Sequence, residues 1–150
     1  MTAQFNQTSC FSPGKFNVLV AFNAVLTDTV TLTGEGPVIC GQIVDNEGGG
    51  YDDETGIFTA PVSGSYCFMV TSSPFSDNVD ESCALAIMLE DDIIGFLEAH
   101  GNEFSTGHAA GKVEAGQQVW LRSCANNDFE TNRYFVNGTT FTGMLLQPEL

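Results

Sequence analysis

The stretch Tyr51–Phe68, YDDETGIFTAPVSGSYCF, predicts two β-strands joined by a corner. The polar segment 52–56 predicts a turn, in which Gly56 is free to adopt a positive φ. The segment Ile57–Ala60 has the β-branched and aromatic composition of a half-buried strand. Pro61 lacks a backbone N–H, so we expect this strand to end there.

A longer strand is predicted to begin at Gly64. Its large side chains alternate with smaller ones, so that Tyr66, Phe68 and Val70 share one face. On both sides of this stretch, further short segments of strand character alternate with turn signals at roughly the 8–12-residue spacing of a β-sandwich. These segments are 15–26, 27–33, 37–39, 83–89, 93–97, 104–113, 118–121 and 140–146. No helical periodicity competes with this pattern.

Length and composition exclude several classes of protein. A chain of 150 residues, of which 43% are hydrophobic, is long enough for one domain with a buried core. It carries 19 acidic against 4 basic residues, a net charge of −15. Phosphate backbones require a basic surface, so we expect no nucleic-acid binding. Anionic membranes are disfavoured for the same reason, and no apolar run predicts membrane insertion. Cations, basic proteins and neutral sugars remain as partners.

The central stretch resembles the signature of the globular C1q head domain, a fold shared with the tumour-necrosis-factor ligands. The matching residues are Tyr51, Asp52, Thr55, Gly56, Phe58, Pro61, Gly64, Tyr66 and Phe68. The segments Ala21–Ala24, Gln118–Leu121 and Thr140–Leu146 are similar to further strands of that family, although Gln117 replaces a usual Asp. The resemblance implies an all-β, ten-stranded jelly-roll sandwich. We therefore assign residues 1–15 to an N-terminal extension and 16–150 to the globular domain.

Secretion is expected from the resemblance and is compatible with two glycosylation sequons, at Asn6 and Asn137. The N-terminus lacks the basic and apolar regions of a signal peptide, so we expect a mature or recombinant form. The collagen-like Gly-X-Y stalk of many family members is also absent from the sequence, which predicts either a head domain alone or a short-form member of the kind common among invertebrates.

The five cysteines have no CxxC spacing, which argues against a structural zinc site. In a secreted protein we expect one or two disulfides and a leftover thiol. The family topology implies that the strand opened by Cys83 lies antiparallel to the Trp120 strand, which makes Cys83 and Cys124 candidate partners. Cys40 and Cys67 are predicted to be small buried hydrophobic residues. Cys10 precedes the domain and is available to link chains.

The sequence predicts no enzyme, because it has neither a nucleophile elbow nor an HExxH motif. Its two histidines, His100 and His108, flank a turn, and a hairpin there would form a zinc or copper site. The alternative is two unconnected surface imidazoles. The family favours this alternative, since it usually places the flanking strands in different sheets.

Calcium is a predicted cofactor, because acidic loops supply the oxygen ligands that this ion prefers. Some family members bind calcium with acidic residues before and after the strand that Cys83 opens. The corresponding positions here are Asp80 or Glu81, and Asp91. The alternative is a solvated acidic rim.

Trp120 and Arg122 form the candidate ligand-binding pair. Strand alternation places Val119 and Leu121 on one face, and Trp120 with Arg122 on the other. An aromatic ring at this position predicts a platform for the apolar face of a sugar. The alternative is structural packing, which is the commoner role of this family residue.

These observations and the resemblance together predict a secreted, non-enzymatic pattern-recognition protein of innate immunity. We expect a homotrimer, with the apolar segments Phe16–Leu26 and Phe141–Leu146 in its interface, that binds microbial glycans or lipopolysaccharide with the help of calcium. One alternative is an acidic, calcium- or metal-binding matrix or carrier protein. Another is a receptor ligand of the cytokine or adhesion type.

Overall fold

A computed structural model describes residues 19–27, 30–32, 36–72, 82–100, 103–124, 133–135 and 138–149. These residues contain twelve β-strands. The strands are β1 (Ala21–Val25), β2 (Val30–Leu32), β3 (Gln42–Glu47), β4 (Tyr51–Asp52), β5 (Ile57–Thr59), β6 (Gly64–Ser72), β7 (Ser82–Leu89), β8 (Asp92–His100), β9 (Ser105–Val113), β10 (Gln118–Cys124), β11 (Arg133–Phe135) and β12 (Thr140–Pro148). Within this part of the chain, no helix is long and apolar enough to cross a membrane.

Ten of the strands form two antiparallel sheets of five strands each. The first sheet has the order β3-β1-β12-β6-β9, and the second has the order β4-β5-β10-β7-β8. The remaining strands, β2 and β11, pair with each other as a short ribbon. The predicted all-β jelly roll is therefore confirmed. The proposed division into 1–15 and 16–150 stays a prediction, because residues 1–18 lie outside the described part of the chain.

The stretch that predicted the corner folds as its residue types require. Gly56 has a φ of 74°, β5 ends at Thr59, and β6 begins at Gly64. Along β6, buried residues alternate with more exposed ones, and Tyr66 and Phe68 point into the core. The period of two that was visible in the sequence thus sets the orientation of the whole central strand.

Aromatic rings occupy the centre of the core. The Phe22 ring stacks on those of Tyr51 and Phe58, with centroids 4.9 and 4.8 Å away, and meets Phe141 edge-on at 4.9 Å. Phe22 belongs to the first sheet and Phe58 to the second, so this cluster joins the two layers. Offset and edge-on pairs of this kind stabilise a fold by about 0.5–1.5 kcal/mol each beyond the burial of their area.

The sandwich is closed along one side, where β8 of the second sheet approaches β9 of the first. Two glycines permit this approach. A Cβ atom on Gly95 would lie 2.7 Å from the carbonyl oxygen of His108, and one on Gly107 would lie 2.8 Å from that of Phe96. The edges therefore meet backbone to backbone, at positions where any larger residue would push them apart.

Four strand assignments differ from the sequence prediction: the segment 37–39, and the strands β3, β4 and β11, none of which was predicted. The segment 37–39 was expected to be a strand, but only Pro37 forms an isolated bridge, to Arg122. In contrast, β3 was not predicted. It is an edge strand whose side chains are almost all exposed, so its sequence carries none of the apolar alternation that marks a strand with one buried face.

Candidate ligand-binding face

The outer face of the second sheet carries the residues predicted to bind a ligand. On β10, Val119 and Leu121 are fully buried, whereas Trp120 and Arg122 are half-buried and point away from the core. This is the predicted alternation. It places an aromatic ring and a guanidinium group on the same outward surface.

The β7–β8 turn fixes the position of the Trp120 ring. The indole Nε1 donates a hydrogen bond of 3.2 Å to the backbone oxygen of Glu90. Glu90 itself has a φ of 53°, an unusual value for a residue other than glycine. It is held to Gln118 by two hydrogen bonds: its N–H donates to the Gln118 oxygen at 2.9 Å, and its Oε1 accepts from the Gln118 N–H at 3.0 Å. The ring is therefore held in place before any ligand arrives.

Phe96 extends this surface and was missed by the sequence analysis. In the strand register, Arg122 lies opposite Ala86, and Ala86 lies opposite Phe96. The ring of Phe96 is 48% exposed, because its neighbour Leu97 takes the buried position on β8. The signal was present in the apolar run 93–97, where one of two adjacent large residues must point outward from a strand.

Ile93 completes the row beside Trp120. Met88 lies between them, opposite Trp120 on β10 and opposite Ile93 on β8. Met88 is 1% exposed, whereas Ile93 is 53% exposed. We call the outward surface formed by Ile93, Phe96, Trp120 and Arg122 the aromatic face. It combines apolar side chains with a charged hydrogen-bond donor on neighbouring strands.

The described part of the predicted calcium site is divided by β7, since the strand separates its first residue, Ser82, from the turn that carries Asp91. Asp91 is exposed in the turn that follows Leu89, while Ser82 begins the strand at the other end. Asp80 and Glu81 lie outside the described residues. Among the residues that are described, no three His, Cys, Asp or Glu side chains group as a metal site. Calcium binding stays a prediction.

The structure places the backbone of both candidate disulfide partners. Cys124 on β10 pairs with Ala84, and Cys83 is the residue before Ala84 on β7. The two positions thus lie on neighbouring antiparallel strands, as the family topology implied, but one residue out of register. The disulfide itself stays a prediction. Cys10 and the two sequons at Asn6 and Asn137 lie outside the described residues.

Cys40 and Cys67 are both free thiols, in different surroundings. Cys40 is fully buried, as predicted, and burial raises the pKa of its thiol from 9.0 to about 12. Cys67 is half-buried on the outer side of β6, so the prediction of a buried residue is only partly correct there.

The two histidines lie on strands of different sheets. His100 ends β8, which pairs with β7, and His108 lies on β9, which pairs with β6. Although β8 and β9 meet where the sandwich closes, it is Gly95, and not His100, that lies against the His108 carbonyl there. This offset favours the alternative of two unconnected imidazoles.

The outer face of the first sheet has a different composition. Met69, Met144 and Leu146 are 43%, 39% and 60% exposed there, and the last two belong to the segment predicted for an oligomer interface. The half-buried Cys67 lies between Met144 on β12 and Ala110 on β9.

A family comparison matches this chain to the C1q domain over residues 21–146. Among curated proteins, human multimerin-1 is 31% identical over 142 residues, and mouse multimerin-1 is 28% identical over the same length. Each alignment covers 91% of this chain but 11% of the relative. The chain therefore spans about a tenth of the length of these relatives.

Solved structures share the fold at low sequence identity. The globular domain of zebrafish complement 1qA protein superposes with a TM-score of 0.62 at 17% identity, covering 87% of this chain and 99% of that one. The tumour-necrosis factor Eiger from S. frugiperda gives 0.65 at 10% identity, covering 89% and 96%. Murine APRIL gives 0.57 at 12% identity, covering 85% and 99%.

Proposed function

Because the chain belongs to the C1q domain family, we propose that it acts outside the cell as a non-enzymatic recognition module that binds microbial surface glycans. The aromatic face is the observation that carries this proposal. Phe96 is exposed on β8, the last strand of the second sheet, two strands across from Arg122 on β10. Exposed aromatic rings stack on the apolar faces of sugars, and a guanidinium donates hydrogen bonds to their hydroxyl groups.

The preorganised position of Trp120 supports the same function. Its Nε1 is already hydrogen-bonded to Glu90, so a sugar would meet the edge and face of an immobile ring. Binding to a rigid surface loses little side-chain entropy, which raises the affinity for a ligand that fits it. The hydrogen bond also gives Trp120 a structural role, so Phe96 is the better residue for a mutational test.

Assembly into a homotrimer is part of this proposal. Met69, Met144 and Leu146 form an apolar outer surface on the first sheet, on the side of the sandwich away from the aromatic face. Burial of the first sheet between subunits would leave the aromatic face of each subunit available. Three weak sites in one particle gain avidity on a repetitive microbial surface.

We also propose that glycan binding requires calcium. The net charge of −15 favours bound cations, and Asp91 is exposed in the turn next to the Trp120–Glu90 hydrogen bond. Calcium at this turn would neutralise carboxylates beside the aromatic face and permit closer approach of acidic polysaccharides.

One alternative function is a receptor ligand of the cytokine type, since Eiger and APRIL share the fold. Saturable binding to a host receptor that no glycan competes would select it.

The test is a glycan and microbial-polysaccharide array probed with the purified protein, in calcium and in EDTA. We expect sugar-competable binding that is weaker in EDTA. Equal binding in both conditions would remove the calcium requirement and keep the glycan function. No binding to any glycan in either condition would contradict the proposal.

A further inference from the structure

Four side chains with soft or borderline metal-binding atoms lie together on the outer face of the first sheet. They are the thiol of Cys67, the thioethers of Met69 and Met144, and the imidazole of His108. The strand register brings them together: Cys67 on β6 lies opposite Met144 on β12, and Met69 on β6 lies opposite His108 on β9. We call these four residues the sulfur cluster.

All four side chains point outward. Cys67 and Met69 are two residues apart on β6, alternating with Tyr66, Phe68 and Val70, which are fully buried in the core. Residues directly opposite each other in an antiparallel pair share a face, with Cβ atoms roughly 4.5–5.5 Å apart. Met144 and His108 therefore lie on the same side as Cys67 and Met69, and the two members of each cross-strand pair are close enough to share an ion. Met144 and His108 lie on either side of β6, so one ion would bind above that strand, between the two pairs.

The surroundings leave the sulfur cluster open. Across the sheet, Ala21 on β1 and Ala110 on β9 lie on either side of the Cys67–Met144 pair. Thr142 on β12 lies opposite Met69, and Asn23 on β1 lies opposite Thr142. None of these neighbours is large or positively charged. Met69 is 43% and Met144 39% exposed, and both side chains are long and flexible enough to bring sulfur atoms to a common point.

The charge around the sulfur cluster favours a cation. Two acidic residues lie on β3, the strand next to β1: Glu47 is opposite Ala21, and Asp45 is opposite Asn23. The nearest basic residue along that side of β9, Lys112, forms an ion pair of 2.8 Å with Glu149.

We propose that the sulfur cluster is a binding site for a soft monovalent cation, copper(I). Thiolate and thioether ligands select copper(I) over harder ions, and imidazole is an accepted fourth ligand. Calcium and magnesium, which require oxygen ligands, are excluded from this site. The site is separate from the aromatic face, on the opposite outer surface, so it does not depend on glycan recognition.

The face that carries the sulfur cluster is also the one proposed to assemble. In a trimer, three clusters would face the subunit interface, so copper would bind within the assembly; in a monomer, the same four residues would bind it at the surface. Light scattering of the sample used for titration shows which state is present.

The experiment uses protein labelled with ¹³C at the methionine methyl groups and titrated with silver(I) nitrate in chloride-free, oxygen-free buffer. Silver(I) replaces copper(I) because it has the same charge and softness without redox chemistry. We expect the Met69 and Met144 methyl resonances to shift together up to one equivalent per chain. Met88, buried in the second sheet, is the internal control and should not shift.

Variants then test the ligand set, with copper(I) affinity measured by competition against a chromogenic chelator. Cys67→Ser should lower the affinity by more than the roughly 10–100-fold that loss of a mere supporting residue costs. The double variant Met69→Leu with Met144→Leu keeps the side-chain volume and should weaken binding as well, while Met88→Leu should not.

Methyl resonances of Met69 and Met144 that stay in place after silver(I) has been added in excess over all thiols would overturn the proposal, whether the protein is a monomer or a trimer. So would methyl shifts that persist unchanged in Cys67→Ser. A monomer in which the shifts occur as expected would support the metal site and contradict the proposed trimer, which separates the two proposals.

Discussion

The two outer faces of this sandwich differ more than its two inner faces do. Both sheets direct phenylalanine, leucine and valine inward, and Phe22, Phe58 and Phe68 make one continuous cluster between them. Outward, the first sheet presents sulfur atoms and the second presents aromatic rings beside Arg122. Because the inner faces are alike and pack against each other, the two sheets differ in side-chain chemistry mainly at the outward-facing residues of their strands. The scaffold therefore presents two outer surfaces of different chemistry.

The substitution with the largest expected effect on stability tests the contrast between inner and outer positions. Phe22→Ala removes the ring that contacts Tyr51, Phe58 and Phe141, and should destabilise the protein by about 3–5 kcal/mol in urea denaturation. Phe104→Ala is the matched control, because Phe104 is 57% exposed; it should change the stability by no more than about 0.5 kcal/mol. Equal losses in the two variants would contradict the assignment of the core.

The line where the two sheets meet is tested by adding a single methyl group. In Gly95→Ala the new Cβ would press on the His108 carbonyl, and we expect a loss of about 1–3 kcal/mol in thermal or urea unfolding. In the control Gly111→Ala, on the neighbouring β9, the Cβ meets nothing within 4 Å. A stability unchanged in Gly95→Ala would show that β8 and β9 are farther apart than described.

The two free thiols, one buried and one half-exposed, extend the comparison of inner and outer positions to the pH dependence of stability. Burial holds the pKa of Cys40 at about 12 in the folded chain, against 9.0 when exposed. Between pH 9 and pH 12 the unfolded state releases the Cys40 thiol proton, which the folded state keeps. The free energy of unfolding therefore keeps the full contribution of Cys40 below pH 9, and it falls by up to about 1.4 kcal/mol per pH unit above pH 9. Urea midpoints at pH 8, 9 and 10 check this, with Cys40→Ala expected to fall less steeply.

Alkylation at pH 8 distinguishes the same two thiols kinetically. In a monomeric sample, the half-exposed Cys67 should be modified in the native protein, whereas Cys40 should react only at the rate of unfolding. Mass spectrometry of digested samples reads both sites. Equal modification rates for Cys40 and Cys67 in native protein would contradict the burial described for Cys40.

Much of the fold was predictable from the sequence, because buried and exposed side chains alternate along the strands with a period of two residues. Tyr66, Phe68 and Val70 predicted β6, and Gly56 and Pro61 predicted its preceding corner, since turn chemistry and burial are local properties. The edge strand β3 was missed because Gln42–Glu47 buries almost nothing. The closure at Gly95 and Gly107 was also out of reach, because close approach of two backbones leaves no pattern within either strand.

The outer faces were harder to predict, because they depend on which strands become neighbours. Trp120 and Arg122 were found from alternation along one strand, but Phe96 joins them only through the register of β10, β7 and β8. The sulfur cluster is scattered over residues 67 to 144, and β12, β6 and β9 bring it together. Long-range registers of this kind are set by the whole sandwich, not by any local segment.

The most direct test of the recognition function is the affinity of Phe96→Ala for whichever polysaccharide the array identifies. The account predicts a loss of about tenfold, or ~1.4 kcal/mol, with stability nearly unchanged because the ring is 48% exposed. Met69→Ala, on the opposite outer face, should bind like the unmodified protein when both are compared at equal oligomeric state. If Phe96→Ala binds with full affinity while Met69→Ala does not, the glycan site lies on the first sheet and the assignment of the aromatic face is contradicted.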